Sequence, residues 1–329
     1  MNDRAVSVLD KYDIEVLRSW KGRGAILCET KTGVKILKEY KGRSNRLLLQ
    51  QKLLQTIKEN GYPHVEEILC TKEGELMVKD EDATSYYLKE YVQGKECNGR
   101  DLADCEEALK QLALYHLSAC LPQFAEEYGL EAFSLTDELE KHNRELRKVR
   151  KYLKEKGQKT DFEMVLFQHY DFFHEKAMKV LEEKRKREEE TNPLSQTLFC
   201  HGDFQHHNLL FSGNKTFMIN FEKFALDTPA RDLSLFFRKI MEKNGWSPVW
   251  GKKMLRAYEK NRRLSAREKQ DLYYRLSYPE KFWKIVNFYY NSGKAWIPAR
   301  NLEKLEKLLK QEKEKKQYME ESFMQWVLD

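Results

Sequence analysis

Two polar residues spaced for phosphoryl transfer lie in the second half of the chain. Asp203 and Asn208 are five residues apart within the segment that runs from His201 to Asn208. A loop that transfers phosphoryl groups needs one carboxylate that takes or orients the proton of the acceptor hydroxyl. Five residues later it needs an amide that holds a metal ion. Asp203 and Asn208 have the spacing of such a loop.

A second metal ligand, a carboxylate, is expected just past the hairpin that follows this loop, where it would clamp magnesium between nucleotide phosphates. The chain has Asn220 there, followed by Phe221 and Glu222. An amide oxygen can coordinate magnesium, but it lacks the charge that this hard cation prefers. Loss of one preorganised group at such a centre lowers a rate by roughly 10²-fold to 10³-fold. Glu222 could substitute in part, but a strand-like segment would need a bend to bring it to the same ion.

The neighbouring residues allow other interpretations. Asp203 by itself is typical of a turn, and its partnership with Asn208 and the apolar hairpin favours the catalytic interpretation. His201, His206 and His207 do not predict a zinc site, because adjacent histidines rarely point at one ion and no carboxylate or thiolate spacing completes the set. We interpret His201 as a hydrogen-bonding brace of the loop.

The elements that must position these residues begin with a small antiparallel meander. Gly, Lys and Thr-rich turns separate three short strand-like segments, and apolar residues at helical spacing predict one helix before further strands. The predicted strands are Glu15 to Trp20, Ala25 to Thr30, Val34 to Tyr40, Glu66 to Thr71, Glu75 to Val78 and Tyr86 to Val92, and the helix is Arg46 to Glu59.

After Gly94 the pattern is helical. Helices are predicted over Leu102 to Ala119, Leu135 to Lys156 and Asp161 to Lys186. The later region from Tyr273 to Trp296 is rich in aromatic residues. Core packing is the favoured interpretation of that region, and a pocket for a cationic group is the alternative.

Composition limits the class of protein. The 329 residues are 41% hydrophobic with 17 Tyr and 17 Phe, which excludes a disordered chain. A net charge of +6 without a long basic run gives no reason to expect nucleic-acid binding. The six cysteines show no metal spacing and are expected to be reduced, packed thiols. The segment Met1 to Ile14 lacks a signal-peptide core and no apolar run could span a bilayer, so we expect an intracellular protein without membrane contact.

The chain resembles the aminoglycoside and choline kinase-like superfamily, whose catalytic loop reads His-Gly-Asp. Within it the chain is most similar to the spore-coat protein S (CotS) family, through Phe221-Glu222-Lys223, the motif Pro229-Ala230-Arg231-Asp232-Leu233 and the interlobe segment Tyr86 to Cys97. The resemblance implies an α+β, two-lobed protein-kinase-like fold. Its amino lobe, residues 1–93, would hold a small antiparallel sheet and one helix. Its carboxyl lobe, residues 94–329, would be mostly helical and contain the catalytic segment 199–222.

The resemblance also implies site residues. Asp203 would be the catalytic base, supported by Asn208, His201 and Asp232, with Asp232 bracing the loop from a helix start. Lys38 would grip nucleotide phosphates, and Gly22 and Gly24 would form a reduced phosphate loop. Glu90 and Val92 would belong to a hinge that meets an adenine ring. The implied metal ligands are Asn208, Asn220 and Glu222.

Two further departures from an active kinase concern the amino lobe. Residues 41 to 58 contain no Asp or Glu, so the usual helix glutamate that positions the strand lysine is missing. Gln50 or Gln51 could hydrogen-bond the Lys38 ammonium instead. The glycine loop is reduced to Gly22-Arg23-Gly24, for which a hairpin turn is an equally good interpretation.

Two functional hypotheses remain. In the first, the chain is a spore-coat scaffold that keeps the kinase fold as a pseudokinase, with ATP and Mg²⁺ bound weakly or not at all. In the second, it is an active ATP-dependent phosphotransferase acting on a hydroxyl of a small molecule, for which a cationic one is an option, or of another coat protein. The family setting implies synthesis in the mother-cell cytoplasm during sporulation, assembly into the spore coat and contacts with other coat proteins. Asn220 and the missing helix carboxylate favour the first hypothesis.

Overall fold

The computed structural model describes residues 6–22, 24–188, 197–291 and 298–323. Arg23 of the predicted glycine loop and Trp296 of the aromatic-rich region therefore lie outside the described residues. Among the described residues, no helix combines the length and the apolarity that crossing a membrane requires.

The first part of the chain forms an antiparallel sheet with the strand order β1-β2-β3-β6-β4, and β5 pairs with β6. One helix, α1 (Ser44–Glu59), follows β3. This confirms the predicted small sheet with one helix. The strands are β1 (Val16–Lys21), β2 (Ile26–Thr30), β3 (Gly33–Glu39), β4 (Ile68–Leu69), β5 (Val78–Lys79) and β6 (Ser85–Glu90).

Several of the predicted strands are longer than the observed ones. Of the strand predicted from Glu75 to Val78, only Val78 lies in a strand, Val78–Lys79. The prediction of a strand from Glu66 to Thr71 is wrong at both ends, since the strand spans only Ile68–Leu69. The Glu66 backbone N–H donates to Met218 O at 3.1 Å, which draws this residue out of the sheet and toward the later part of the chain. The strand predicted to reach Val92 ends at Glu90.

The later part of the chain is mostly helical, as predicted. Its helices are α2 (Leu102–Ser118), α3 (Pro122–Glu127), α4 (Leu135–Glu155), α5 (Asp161–Glu188), α6 (Ala230–Lys243), α7 (Pro248–Glu259), α8 (Ala266–Ser277), α9 (Glu280–Asn291), α10 (Pro298–Lys310) and α11 (Glu312–Phe323). The division of the chain into lobes at residues 93 and 94 stays a prediction.

Short strands carry the predicted catalytic segment across the helical part. β8 (Leu198–Cys200) pairs with β11 (Ala225–Asp227), and β9 (Leu209–Ser212) forms a hairpin with β10 (Lys215–Met218). The other edge of β9 pairs with β7 (Lys95–Glu96), the strand that follows the first sheet. The catalytic segment is thus tied to the connection that leads from the sheet into the helices.

Helix α2 packs against this segment. Its N-cap residue is Asp101, whose carboxylate accepts hydrogen bonds from the backbone N–H groups of Ala103 and Asp104 at 2.9 and 3.4 Å. Such a cap satisfies backbone donors that a helix start leaves unpaired. On the buried face, the Tyr115 hydroxyl donates to Phe199 O at 2.7 Å and fixes β8 against the helix.

The core confirms the packing interpretation of the aromatic-rich region in part. Tyr274, Tyr278 and Phe282 are buried in a cluster between helices α4, α5, α8 and α9, whereas Phe288 is 45% exposed. The prediction of packed thiols is right for the four buried cysteines and wrong for Cys70 and Cys120, which are exposed.

Candidate active site

The predicted catalytic loop begins with a backbone conformation that only glycine accommodates here. Gly202 follows β8 with φ +76°, in the left-handed region. A Cβ at this position would lie 1.8 Å from Lys223 O, so the loop could not approach the segment after β10 with any other residue. Gly202 therefore brings the neighbouring Asp203 beside Lys223.

Asp232 anchors the loop from the first turn of α6. Its carboxylate accepts hydrogen bonds from the backbone N–H groups of His201 (2.7 Å) and Gly202 (2.8 Å), and His116 Nε2 lies 3.2 Å away. Burial by itself raises the pKa of Asp232, but the hydrogen bonds from His116 and the loop lower the pKa below its ordinary value. A buried, ionised carboxylate that accepts several N–H groups holds a loop rigidly.

His201 lies within the loop rather than in a cleft. It is fully buried, and its Nε2 lies 3.0 Å from Ile219 O. The Asp203 N–H donates to its Nδ1 at 3.2 Å, which makes Nδ1 the acceptor and Nε2 the donor. The side chain connects the two ends of the catalytic segment.

Asp203 presents its carboxylate at the surface of the loop. Lys223 Nζ lies 3.0 Å from Oδ2, and Gln205 Nε2 hydrogen-bonds Oδ1. Burial raises the pKa of Asp203, but the hydrogen bonds from Lys223 and Gln205 lower it below its ordinary value. Asp203 is therefore an ionised hydrogen-bond acceptor at neutral pH, suited to orient a hydroxyl group.

Asn208 and Asn220 meet in a direct hydrogen bond. Asn220 Nδ2 donates to Asn208 Oδ1 at 2.9 Å, and Asn208 Nδ2 donates to Asp203 O at 2.8 Å. The second bond fixes the orientation of the Asn208 amide, so that its oxygen faces residue 220. The two predicted metal ligands are brought together, but Asn208 Oδ1 already accepts an N–H group.

The bend that Glu222 needs is present at Asn220. Asn220 has φ +68°, a left-handed conformation that asparagine tolerates better than most residues. Because of this bend, Asn220 and Glu222 approach the same ammonium group. Lys38 Nζ lies 3.4 Å from Asn220 Oδ1 and hydrogen-bonds Glu222 Oε1.

Glu222 is the charged partner of Lys38 that helix α1 does not provide. Its Oε1 also accepts a hydrogen bond from the Tyr87 hydroxyl at 2.8 Å. Burial raises the pKa of Glu222, but the Lys38 ammonium more than offsets this and lowers the pKa to about 2. The strand lysine is thus positioned by a carboxylate 184 residues later in the chain.

A buried ion pair that the sequence did not reveal lies behind this site. Lys89 Nζ is 2.6 Å from Glu66 Oε2 and 2.9 Å from Asn220 Oδ1. The side chains of Lys89 and Glu66 are only 3% and 1% exposed. Glu66 also accepts hydrogen bonds from the backbone N–H groups of Asn220 (2.8 Å) and Phe221 (2.9 Å), so one carboxylate holds the whole turn.

The helix glutamines do not contact Lys38. Gln50 is fully buried and its Nε2 donates to Glu66 Oε1 at 3.0 Å, while Gln51 Nε2 lies 3.5 Å from Cys70 Sγ. The expectation that one of them hydrogen-bonds the Lys38 ammonium is therefore wrong. A sequence signal that could have indicated the buried Lys89–Glu66 pair is the presence of a lysine within the largely apolar strand β6.

Of the predicted nucleotide-binding residues, Lys38 and Gly24 line a cleft of about 870 Å³, whereas Gly22, Glu90 and Val92 are not among its lining residues. Lys38, Asn208, Asn220, Glu222, Asp203 and Gly24 line this cleft. The N–H of Gly22 donates to Ala25 O at 2.8 Å and closes the β1–β2 turn, in agreement with the hairpin interpretation.

The predicted hinge residue Glu90 uses its polar groups internally. Its carboxylate binds Lys35 Nζ at 2.6 and 2.8 Å, and its N–H donates to Glu67 O at 2.9 Å. The carboxylate and the N–H of Glu90 are therefore engaged within the amino-terminal part of the chain, and a contact of the hinge backbone with an adenine ring stays a prediction. The role of Val92, which follows β6, stays a prediction.

The cleft fits a nucleotide better than it fits magnesium. Its volume lies in the range of small-molecule sites, and the Lys38 ammonium supplies a positive charge for phosphate. Three of the oxygens that could bind a metal already accept a hydrogen bond from another side chain of the protein: Asn208 Oδ1, Asn220 Oδ1 and Glu222 Oε1. As arranged, this donor set does not fit a tightly bound magnesium ion.

Comparison with known proteins agrees with this architecture. Residues 6–322 match the family described as "Spore coat putative kinase YutH". No curated protein matches the chain.

Solved structures that resemble the chain share its fold. An aminoglycoside phosphotransferase from Alicyclobacillus acidocaldarius has a TM-score of 0.82 at 18% identity, covering 98% of this chain and 96% of that one. Spectinomycin phosphotransferase, described in complex with ADP and spectinomycin, has a TM-score of 0.64 at 14% identity, covering 98% and 96%. A microcompartment-associated aminopropanol kinase has a TM-score of 0.64 at 14% identity, covering 92% and 94%. These matches confirm the two-lobed kinase-like fold.

Proposed function

The chain belongs to the YutH spore-coat kinase family, and on that premise we propose that it is a nucleotide-binding, kinase-like component of the spore coat whose phosphoryl-transfer step is impaired. The observation that carries the proposal is the position of Asn220. A neutral amide stands where a charged metal ligand is needed, and its oxygen accepts hydrogen bonds from Lys89 and Lys38.

Nucleotide binding is supported by the cleft and its lysine. Lys38 is held by Glu222 and lines a cavity of about 870 Å³. The phosphate oxygens of a bound triphosphate could replace the Glu222 carboxylate as the partner of the Lys38 ammonium. Spectinomycin phosphotransferase and an amicoumacin kinase, described with ADP and AMP-PNP respectively, are similar in fold. ATP is the expected ligand of this chain.

Impaired transfer is supported by the electrostatics behind the cleft. The Lys89 ammonium lies where a cation would compete for Asn220 Oδ1, and like charges repel. Magnesium would therefore bind more weakly than at a site with a carboxylate at residue 220. Loss of one such interaction lowers phosphoryl transfer by roughly 10²-fold to 10³-fold.

The alternative is an active ATP-dependent phosphotransferase acting on a hydroxyl group. One specific observation favours it: the bend at Asn220 brings the Glu222 carboxylate to the same ammonium, so a carboxylate is still available close to the expected metal position. When bound, magnesium would neutralise phosphate charge in such an enzyme. Asp203 would orient the acceptor hydroxyl in either case.

The cellular setting follows from the family. We infer synthesis in the mother cell and assembly into the spore coat, where other coat proteins would be the partners. In that setting a kinase-like fold that binds nucleotide without efficient turnover would serve as a scaffold.

ATP hydrolysis or transfer, measured in the wild type, Asp203→Ala and Asn220→Asp, tests the proposal. The proposal expects little wild-type turnover and a gain in Asn220→Asp, with Asn214→Asp in the exposed β9–β10 turn as a matched control that changes nothing. Wild-type turnover at rates typical of kinases, abolished by Asp203→Ala, would support the alternative.

A further inference from the structure

A second pocket adjoins the predicted nucleotide cleft at Asp203. It has a volume of about 320 Å³ and is bounded by helices α4, α6 and α9. Asp203 and Lys223 line both cavities. A molecule in this pocket would therefore reach the same carboxylate that lines the predicted nucleotide cleft.

Cationic side chains outnumber carboxylates around this pocket. The lining residues with positive charge are Lys223, Arg231, Arg238, Lys239, Arg275 and Lys284, and those with negative charge are Asp203, Glu138 and Glu280. This excess of six to three is the opposite of what a polycationic acceptor would need.

Most of these cations are neutralised by neighbours, and two are not fully matched. Lys223 pairs with Asp203 at 3.0 Å and Lys284 pairs with Glu280 at 2.8 Å. Arg238 shares the single carboxylate of Glu242 with a second cation, Lys281. The remaining positive charge is therefore concentrated on helix α6, at Arg238 and the adjacent Lys239.

Lys239 carries the strongest indication of a missing anion. It has no hydrogen-bond or ion-pair partner within the described ranges, although its side chain lines the pocket and is partly buried. Burial and the nearby charges of Arg238 and Lys281 lower the pKa of Lys239 below its ordinary value, and the Glu242 carboxylate, which acts in the opposite direction, does not offset them. An ammonium in this position is stabilised when an anion enters the pocket.

The far wall of the pocket is flat and aromatic. The rings of His142 and Trp283 stack with centroids 3.5 Å apart and an interplanar angle of 22°. Trp283 Nε1 donates to Glu145 at 2.7 Å, which fixes the plane of the indole. The pocket thus combines a rigid apolar surface with an unmatched cationic surface, as small-molecule sites often do.

We infer that this pocket binds a small polyanion that carries carboxylate or phosphate groups, held by Lys239 and Arg238 against the wall formed by Trp283. A hydroxyl group on such a molecule would face Asp203. That the molecule is also a phosphoryl acceptor rests on the proposed function, whereas its binding does not.

Calorimetric titration of the full-length protein with citrate and, separately, inorganic phosphate, in low salt without magnesium, tests this inference. The wild type should bind at least one of these two probes, and the preferred probe distinguishes a carboxylate ligand from a phosphate ligand. Lys239→Glu should weaken binding by about 10-fold or more, since it replaces attraction by repulsion at close range. Lys253→Glu, on the exposed face of α7, is the matched control and should bind within about 2-fold of the wild type.

Several results would overturn the inference. The first is that neither probe binds. The second is that the cation spermidine binds more tightly than both anions. The third is that binding is lost in Lys38→Ala and kept in Lys239→Glu, which would assign the anion to the nucleotide cleft. Lys239→Gln, which removes the charge without reversing it, provides a second variant if Lys239→Glu does not fold. ATP binding measured in parallel separates the two proposals, because either ligand could bind without the other.

Discussion

Lys89 Nζ lies 2.9 Å from Asn220 Oδ1 in the interior of the protein, while the same ammonium forms an ion pair with Glu66 at 2.6 Å. Residue 220 thus accepts a hydrogen bond from the Lys89 ammonium. At the corresponding point an active kinase needs a carboxylate that binds magnesium. The neutral amide, the lysine behind it and the carboxylate that holds both are one hydrogen-bonded unit. Changes to this unit should alter metal binding and stability in ways that can be measured separately.

Asn220→Asp should make nucleotide binding depend on magnesium. In the wild type, Asn220 Nδ2 lies 2.9 Å from Asn208 Oδ1. The substitution replaces this Nδ2 donor by an oxygen that faces Asn208 Oδ1. Asn208 cannot rotate without losing its bond to Asp203 O, so two oxygens would face each other and attract a cation. Calorimetry with ATP should show magnesium strengthening binding about 10-fold more in the variant than in the wild type.

The left-handed φ of +68° should not complicate this comparison, because aspartate tolerates that region much as asparagine does. An identical magnesium response in Asn220→Asp and the wild type would show that residue 220 does not lie at the metal position.

Removal of either partner of the buried Lys89–Glu66 pair should destabilise the protein strongly. Breaking such a pair leaves an unmatched buried charge and typically costs about 3 to 5 kcal/mol. Glu66→Ala should be worse than Lys89→Met, since it also leaves the N–H groups of Asn220 and Phe221 unpaired. Urea unfolding monitored by circular dichroism gives both values.

Lys58→Met is the matched control for these two variants, because Lys58 pairs with the exposed Glu67 at 3.0 Å. That substitution should change the free energy of unfolding by no more than about 1 kcal/mol. Equal effects of Lys58→Met and Lys89→Met would contradict the importance assigned to the buried pair.

Gly202→Ala should disrupt the catalytic loop. The added methyl group would lie 1.8 Å from Lys223 O, and the backbone φ of +76° disfavours alanine as well. Gly213→Ala, in the β9–β10 turn, has a φ of +59° but open space around the Cβ position. Gly213→Ala should therefore lose only about 1 to 2 kcal/mol of stability, which is the cost of placing alanine in the left-handed backbone conformation without a steric clash. Similar unfolding midpoints for the two variants would mean that the loop does not pack against Lys223.

The ion pair of Lys38 and Glu222 should make stability depend on acid pH. The pKa of Glu222 is lowered from 4.5 to about 2, so its contribution is complete above pH 4.5 and is lost as the pH falls toward 2. Between pH 6 and pH 3 the stability advantage of the wild type over Glu222→Gln should shrink by about 2 kcal/mol. Urea unfolding at these two pH values measures the difference, and an advantage that stays constant would contradict the ionised pair.

The fold and the loop were largely predictable because their signals are local. The spacing of Asp203 and Asn208 and the period-2 and helical patterns all lie within short windows of sequence. The strand ends were less certain, since Glu66 leaves the sheet to bond Met218 at a separation that no local pattern encodes.

The electrostatic partners were not predictable for the same reason. Lys89 meets Glu66 because β6 pairs with β4 in one particular register, with Lys89 opposite Ile68. Glu222 reaches Lys38 because Asn220 adopts a left-handed turn, and asparagine alone does not specify that turn. The cations of the second pocket come from helices α6, α8 and α9 and from the segment after β10, which only tertiary packing brings together.

ATP binding by the wild type and by Lys38→Ala, measured by calorimetry with magnesium and again with a chelator, tests the central claim most directly. The structure predicts that the wild type binds ATP, that removal of magnesium changes its affinity by less than about 3-fold because residue 220 is neutral, and that Lys38→Ala binds at least about 10-fold more weakly. Wild-type protein that binds no ATP, or binds it only with magnesium, or is unaffected by Lys38→Ala, would contradict the account.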